Sequence, residues 1–158
     1  LCTKYLLEML TEHGRVDVAY RVATQERYPS WGFMLANGAT PLWEGWEHKT
    51  GGEMNSHNHP MMGSVGAWFY KYLAGIAADP QAPGYSRIVI RPYPVKGLDW
   101  VRSEYTSPYG LIRSFWTREE GRLNLKVKVP INSMATVYFP GAVVFEIGSG
   151  DHEFAGPE

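Results

Sequence analysis

Leu123-Asn124-Leu125-Lys126-Val127-Lys128-Val129 alternates apolar and polar residues without a break. A period of two places one side of an extended chain in a core and the other in water, so this stretch predicts a half-buried strand. Working outward, Ile88 and Ile90 alternate with Arg87, Val89 and Arg91, and Trp100–Thr106, Leu111–Trp116, Ala135–Phe139 and Val143–Ile147 are strand-like as well. Arg118-Glu119-Glu120-Gly121 supplies a polar hairpin loop, and Ser107-Pro108-Tyr109-Gly110 a further turn. Gly148-Ser149-Gly150 reads as a turn, since no helix signal follows it. Short strands with turns at this density predict an antiparallel β-sandwich over residues 83–158.

Upstream of Pro83-Gly84 the period lengthens. Tyr5, Leu6, Met9 and Leu10 recur at helical spacing, with Gly14 placed to end the segment. Val16, Ala19, Tyr20 and Ala23 fit a second short helix. Pro29 and Gly32 break the pattern, which predicts an irregular connection over residues 28–38. Val65, Trp68, Phe69, Tyr72, Leu73 and Ile76 then form one apolar stripe over three turns. The expected organisation is therefore helical over residues 1–82 and β over 83–158, a multidomain α-then-β chain and not an α/β fold. Three or four helices make a thin helical domain, and the start at Leu1-Cys2-Thr3-Lys4 looks like a cut from a longer polypeptide. Helices missing from such a domain would leave the Val65–Ile76 stripe uncovered, so self-association is expected.

Composition removes several classes of function. Fifteen Lys and Arg face 16 Asp and Glu, a formal charge of −1, so nothing favours nucleic acid or an anionic membrane surface. No apolar run approaches the ~20 residues that span a bilayer. The single cysteine, Cys2, excludes an internal disulfide and a cysteine-based zinc cluster. Aromatic residues reach 14%, with 6 Trp and 10 Tyr, and aromatic faces suit sugar rings as well as cores.

Chemistry concentrates between residues 28 and 62. There Trp31, Trp43, Trp46, Glu44, Glu47, His48, Glu53, His57 and His59 are punctuated by glycines at 32, 38, 45, 51 and 52. Glu44 stands between Leu42-Trp43 and Gly45-Trp46. A carboxylate beside indoles loses solvation, which favours its proton-carrying form and suits general acid or base work. An exposed loop glutamate remains open, because Trp43 and Trp46 are three apart and equally suit one buried face. His57 and His59 form an H-x-H pair, a weak metal signal. A neutral imidazole that hydrogen-bonds a hydroxyl is the better expectation, so no metal and no cofactor are assigned. The G-x-S-x-G, phosphate-loop and H-E-x-x-H signatures do not occur.

Residues 28–34, Tyr-Pro-Ser-Trp-Gly-Phe-Met, followed by 37–46, Asn-Gly-Ala-Thr-Pro-Leu-Trp-Glu-Gly-Trp, resemble the late catalytic-domain motif of bacterial α-L-rhamnosidases. Residues 54–59, Met-Asn-Ser-His-Asn-His, and 63–68, Gly-Ser-Val-Gly-Ala-Trp, resemble the motif after it, and Leu73-Ala74-Gly75-Ile76 and Pro83-Gly84-Tyr85 continue the likeness. Ile90-Arg91-Pro92, Ser107-Pro108-Tyr109-Gly110 and Val129-Pro130-Ile131-Asn132 resemble the family's C-terminal sandwich. The resemblance implies the last helices of an (α/α)₆ barrel followed by a β-sandwich. It also implies hydrolysis of terminal α-L-rhamnosides in glycosides and polysaccharides, with inversion by two carboxylates. Carried over by position, Glu44 is the general base and His59 contacts rhamnose hydroxyls. Trp43 and Trp46 form walls of the site, and Trp31 joins the sugar-binding set. Gly45 stands where many relatives have Arg, His57 replaces an aromatic residue, and Pro60 replaces a residue that is often aromatic. These departures bear on substrate range more than on reaction type. The family's acidic segment has no counterpart here, so the general acid is expected upstream, in the remainder of the catalytic domain, and this piece alone is expected to be inactive. The rival expectation is a non-catalytic carbohydrate-binding or structural β module, with Trp100 and Trp116 as its candidate aromatics.

Overall fold

In a computed structural model, residues 2–53 and 56–157 are described, without the side chain of Glu53. Met54, Asn55 and the Glu53 carboxylate, all part of the sequence cluster, lie outside the described residues. The chain divides into two compact units, Leu1–Trp68 and Phe69–Glu158. This division falls earlier in the chain than the boundary expected at residues 82/83.

Among its described residues the first unit holds four α-helices: α1 (Thr3–Glu12), α2 (Val16–Thr24), α3 (Trp31–Ala36) and α4 (Ser64–Trp68). Helix α1 stands where its period placed it but turns another face inward. Leu7 and Thr11 are buried, whereas Tyr5, Leu6 and Met9 are exposed. Thr11 closes this face by polar contacts, its hydroxyl donating to the Leu7 carbonyl (2.8 Å) and accepting from the Trp68 indole N–H (2.8 Å). In α2, Ala19 and Ala23 are buried as their spacing implied.

Helix α3 corrects the irregular connection expected over residues 28–38. Ser30 is its N-cap, and the Ser30 hydroxyl accepts the Phe33 N–H (2.9 Å), which satisfies a backbone donor of the first turn. Gly32 is not a breaker here. A Cβ at this position would sit 2.5 Å from the Gln25 carbonyl oxygen, so the glycine lets α3 lie against the preceding backbone.

The second unit opens with a π-helical turn, Phe69–Leu73, and continues, among its described residues, into eight strands. One sheet has the order β1 (Ile76–Ala78), β2 (Arg87–Ile90), β6 (Met134–Phe139), β7 (Val143–Ile147). The other has the order β3 (Trp100–Ser107), β4 (Gly110–Glu119), β5 (Arg122–Val129), β8 (Gly150–Pro157). Neighbours are antiparallel except β2 and β6, which run parallel, so the expected all-antiparallel pairing is corrected at that one step. The two sheets share one core: Ile76, Ile88, Ile90, Val137 and Phe139 from one, Ile112, Trp116, Leu123, Leu125 and Val127 from the other. The opening alternation is β5, whose apolar residues are all buried. Glu120 and Gly121, both at positive φ, close the β4–β5 hairpin with Glu119 opposite Arg122.

The three-turn stripe is corrected in two respects. Its α-helical part stops at Trp68, and Ile76 is already strand, paired with Ile90. Sheet pairing overrides the helical period there. Most of the stripe is also covered: Val65, Trp68, Tyr72, Leu73 and Ile76 are buried, while Phe69 is 40% exposed. The carbonyls of Leu73 and Ala74 accept from the Trp116 indole (2.8 Å) and the Ser114 hydroxyl (2.6 Å), which fixes the turn on β4.

Candidate functional site

The site is built from loops of the first unit. Helix α3 presents Met34 to a small core completed by Trp43 and Met62, with Leu42, Trp46 and Met61 packed against it, and Trp31 of the same helix is buried. The Trp31 indole donates to the Met62 carbonyl (2.9 Å), and Trp46 meets the Trp31 ring edge-on at 5.2 Å. Both flanking indoles of Glu44 therefore turn away from it. Trp43 is buried, Trp46 is half-buried, and the Glu44 side chain is exposed. The expected shielding of this carboxylate by indole rings is corrected: Trp43 serves the core, and its ring stacks on His48 (4.8 Å).

What fixes Glu44 is backbone. Its N–H donates to the Ser56 carbonyl (2.8 Å), and its Oε2 accepts the Ser56 N–H (3.0 Å). The His59 N–H donates to the Leu42 carbonyl (2.9 Å). Segments 42–44 and 56–59 thus run side by side, with one residue more between the bonding points on the second. Ser56 absorbs the extra residue, since its hydroxyl accepts the Asn58 N–H (3.2 Å) and donates to the Asn58 carbonyl (3.1 Å). The pairing brings the strips that carry Glu44 and His59 together from 15 positions apart in sequence.

The histidines hold these loops. His57 Nε2 lies 2.8 Å from the Lys49 carbonyl, which makes Nε2 the protonated nitrogen. The His57 ring stacks on His48 at 4.8 Å and stands 6.1 Å from Trp43, giving a three-ring cluster. His59 is half-buried, and its Nδ1 accepts the Met61 N–H (3.3 Å), which leaves Nε2 to carry the proton and donate outward. Tyr28 donates to Glu47 (3.2 Å), and this bond to a carboxylate holds the Tyr28 hydroxyl above its ordinary value of 10.0. Among the described residues, no three of His, Cys, Asp and Glu are placed to hold a metal ion.

Of the residues singled out from sequence, Glu44 and His59 lie on the paired strips, Trp43 lies in the small core with Trp46 packed against it, and Trp31 is buried against Trp46. Ser56 and His48 carry more of the arrangement than their sequence neighbourhood implied. Between the two strips the chain forms a short 3-10 turn over Gly51–Glu53, with Gly51 at positive φ. In the second unit Trp116 is fully buried and Trp100 is 61% exposed, which leaves Trp100 alone of that pair on the surface.

The described residues thus form a helical region with an exposed, backbone-held carboxylate, followed in the chain by a double sheet. Residues 1–73 match the family model of the bacterial α-L-rhamnosidase six-hairpin glycosidase domain, and residues 75–152 match that of the bacterial α-L-rhamnosidase C-terminal domain. The chain belongs to the bacterial α-L-rhamnosidase family. It is 38% identical to an α-L-rhamnosidase of Streptomyces avermitilis, over 98% of this chain and 17% of that protein. The structure of an α-L-rhamnosidase from Dictyoglumus thermophilum superposes with a TM-score of 0.91 at 33% identity, covering 100% of this chain and 21% of the other. That of Streptomyces avermitilis α-L-rhamnosidase complexed with L-rhamnose gives 0.88 at 36% identity, covering 98% and 17%. The chain thus spans about a fifth or less of the length of these relatives.

Proposed function

We propose that this chain supplies the general-base half of an inverting α-L-rhamnosidase, with terminal α-L-rhamnosyl groups of glycosides or polysaccharides as substrate. Glu44 accepts a proton from the attacking water. His59 donates to a sugar hydroxyl through Nε2. Trp46 offers the ring at the site's edge, and Trp31 and Trp43 support it from the core. The general acid comes from the remainder of the catalytic domain. Inversion places the two carboxyls about 6.5–9.5 Å apart, so that water fits between the base and the anomeric carbon.

The observation that carries this reading is the tethered carboxylate. Oε2 of Glu44 is held by the Ser56 N–H on the strip that bears His59, while the side chain stays exposed to water. A base fixed through one oxygen aims the other without rearrangement during the reaction. The test is Glu44→Gln in the full-length polypeptide, assayed with an aryl α-L-rhamnoside. Turnover is expected to fall about 10²–10⁴-fold, the usual loss for a general base, with unchanged thermal unfolding. A loss of only a few-fold refutes the assignment. The 158-residue chain alone is expected to show no turnover above background, since leaving-group protonation lacks its donor.

A further inference from the structure

The second unit carries a concave surface that the proposed reaction does not use. It lies on the outer face of the sheet β3-β4-β5-β8, where strand register sets two rows of side chains across all four strands. One row reads Arg102, Phe115, Lys126, Glu153, and the next reads Glu104, Arg113, Lys128, Asp151. All of these but Glu104 line a groove of about 330 Å³, at the small end of ligand-binding clefts. Phe115 is half-buried in the middle of its row, and Trp100 stands two residues before Arg102 on the same face.

The charges are arranged for a ligand and against the sheet's own comfort. Arg113 and Lys128 are direct cross-strand partners, and like charges in that position repel. Each cation is steadied by one acid: Arg113 by Glu104 (2.8 Å), Arg102 by the same oxygen (3.3 Å), Lys126 by Glu153 (2.9 Å) and Lys128 by Asp151 (3.4 Å). Each guanidinium has five N–H donors and each ammonium three, so each ion pair engages only part of a cation's donors. Four cations meet three acids, Glu104, Asp151 and Glu153, on this face, a surplus of one positive charge in a chain whose net charge is −1. An aromatic floor packs the C–H face of a pyranose ring, and surplus donors in a fixed fork suit a carboxylate.

We infer that this face is a second, non-catalytic carbohydrate site whose ligand is a carboxylate-bearing sugar chain. A uronate ring lies on Phe115 with its carboxylate between Arg113 and Lys128, and the chain continues along β3 over Trp100. The inference does not depend on the role assigned to Glu44, and it is tested on the 158-residue chain without any assay of hydrolysis.

The probe is an α-1,4-linked galacturonate hexamer, titrated calorimetrically against the chain, with maltohexaose and hexaglutamate as neutral-sugar and sugar-free controls. The hexamer is expected to bind with Kd of about 0.1–1 mM, more weakly as salt rises. Both controls are expected to bind at least about tenfold less tightly. Lys126→Gln/Lys128→Gln and Trp100→Ala change exposed or half-buried positions, and each is expected to weaken the hexamer about five- to tenfold while the unfolding midpoint stays put. Absence of binding at ~10 mM hexamer overturns the inference. So does maltohexaose or hexaglutamate binding as well as the hexamer, or a hexamer affinity that both variants leave unchanged.

Discussion

The loops at 37–63 and the double sheet at 76–157 bury aromatic residues to opposite ends. In the sheets, Trp116 lies at the centre of a continuous core, and every neighbouring strand is tied by a backbone ladder. In the loops, Trp43 makes a small core with Met34 and Met62, and the strips that carry Glu44 and His59 are joined through a few bonds, Glu44 to Ser56 and His59 to Leu42 among them. Regular pairing uses most backbone groups of the inner strands and leaves few to hold a side chain. Irregular loops do leave such groups, and the Ser56 N–H holds the Glu44 carboxylate in this way. The chain therefore keeps its stability mainly in one region and its candidate chemistry in the other.

Trp116→Ala tests the stability half of this contrast and should have the largest effect. It removes a fully buried indole and the donor to the Leu73 carbonyl, so a loss of about 3–5 kcal/mol is expected in urea unfolding. Trp100→Ala, on the surface of the same sheet, should change stability by no more than about 0.5 kcal/mol. Similar losses for the two would break the contrast.

The same contrast governs what could be read from the sequence. Leu123–Val129 announces its strand because alternation and burial are both local properties. Strand β8 escaped notice because Gly150, Asp151, Glu153 and Ala155 carry no apolar alternation. It is defined by pairing with β5, a non-local property. Helix α1 was legible as a helix but not in its inward face, because Thr11 is buried through hydrogen bonds that hydrophobic spacing does not register. Pro29 and Gly32 concealed α3, since the spatial neighbour Gln25 decides what Gly32 does. At the site, residue types pointed to Glu44 and His59, yet the bond from Ser56 links positions 12 apart across a reversal, so the means of holding Glu44 was invisible.

A smaller perturbation examines the loops. His57→Ala removes the bond to the Lys49 carbonyl and the ring that covers His48, next to the residue whose N–H holds Glu44. Stability should fall by about 0.5–1.5 kcal/mol, the worth of one such bond. In the full-length polypeptide kcat should fall about tenfold, whereas His57→Asn, which can still donate to that carbonyl, should recover part of the loss. A variant with normal kcat would separate the ring cluster from the positioning of Glu44.

The smallest effect expected is the acid sensitivity of the sheet's outer face. Hydrogen bonds from Arg113 and then Arg102 hold the Glu104 carboxyl below its ordinary value of 4.5. The folded chain therefore binds the proton more weakly than the unfolded chain does. The stabilisation from this group is complete above pH 4.5 and is lost as pH falls through the lower folded value. Because Glu104 is open to solvent and salt, the contribution is small. Comparing unfolding midpoints from pH 6 to pH 3 with those of Glu104→Gln should give curves that converge toward the acid end. Curves that stay parallel would show that the arginines are held by the sheet alone, and the surface charges would then add nothing to the stability of this region.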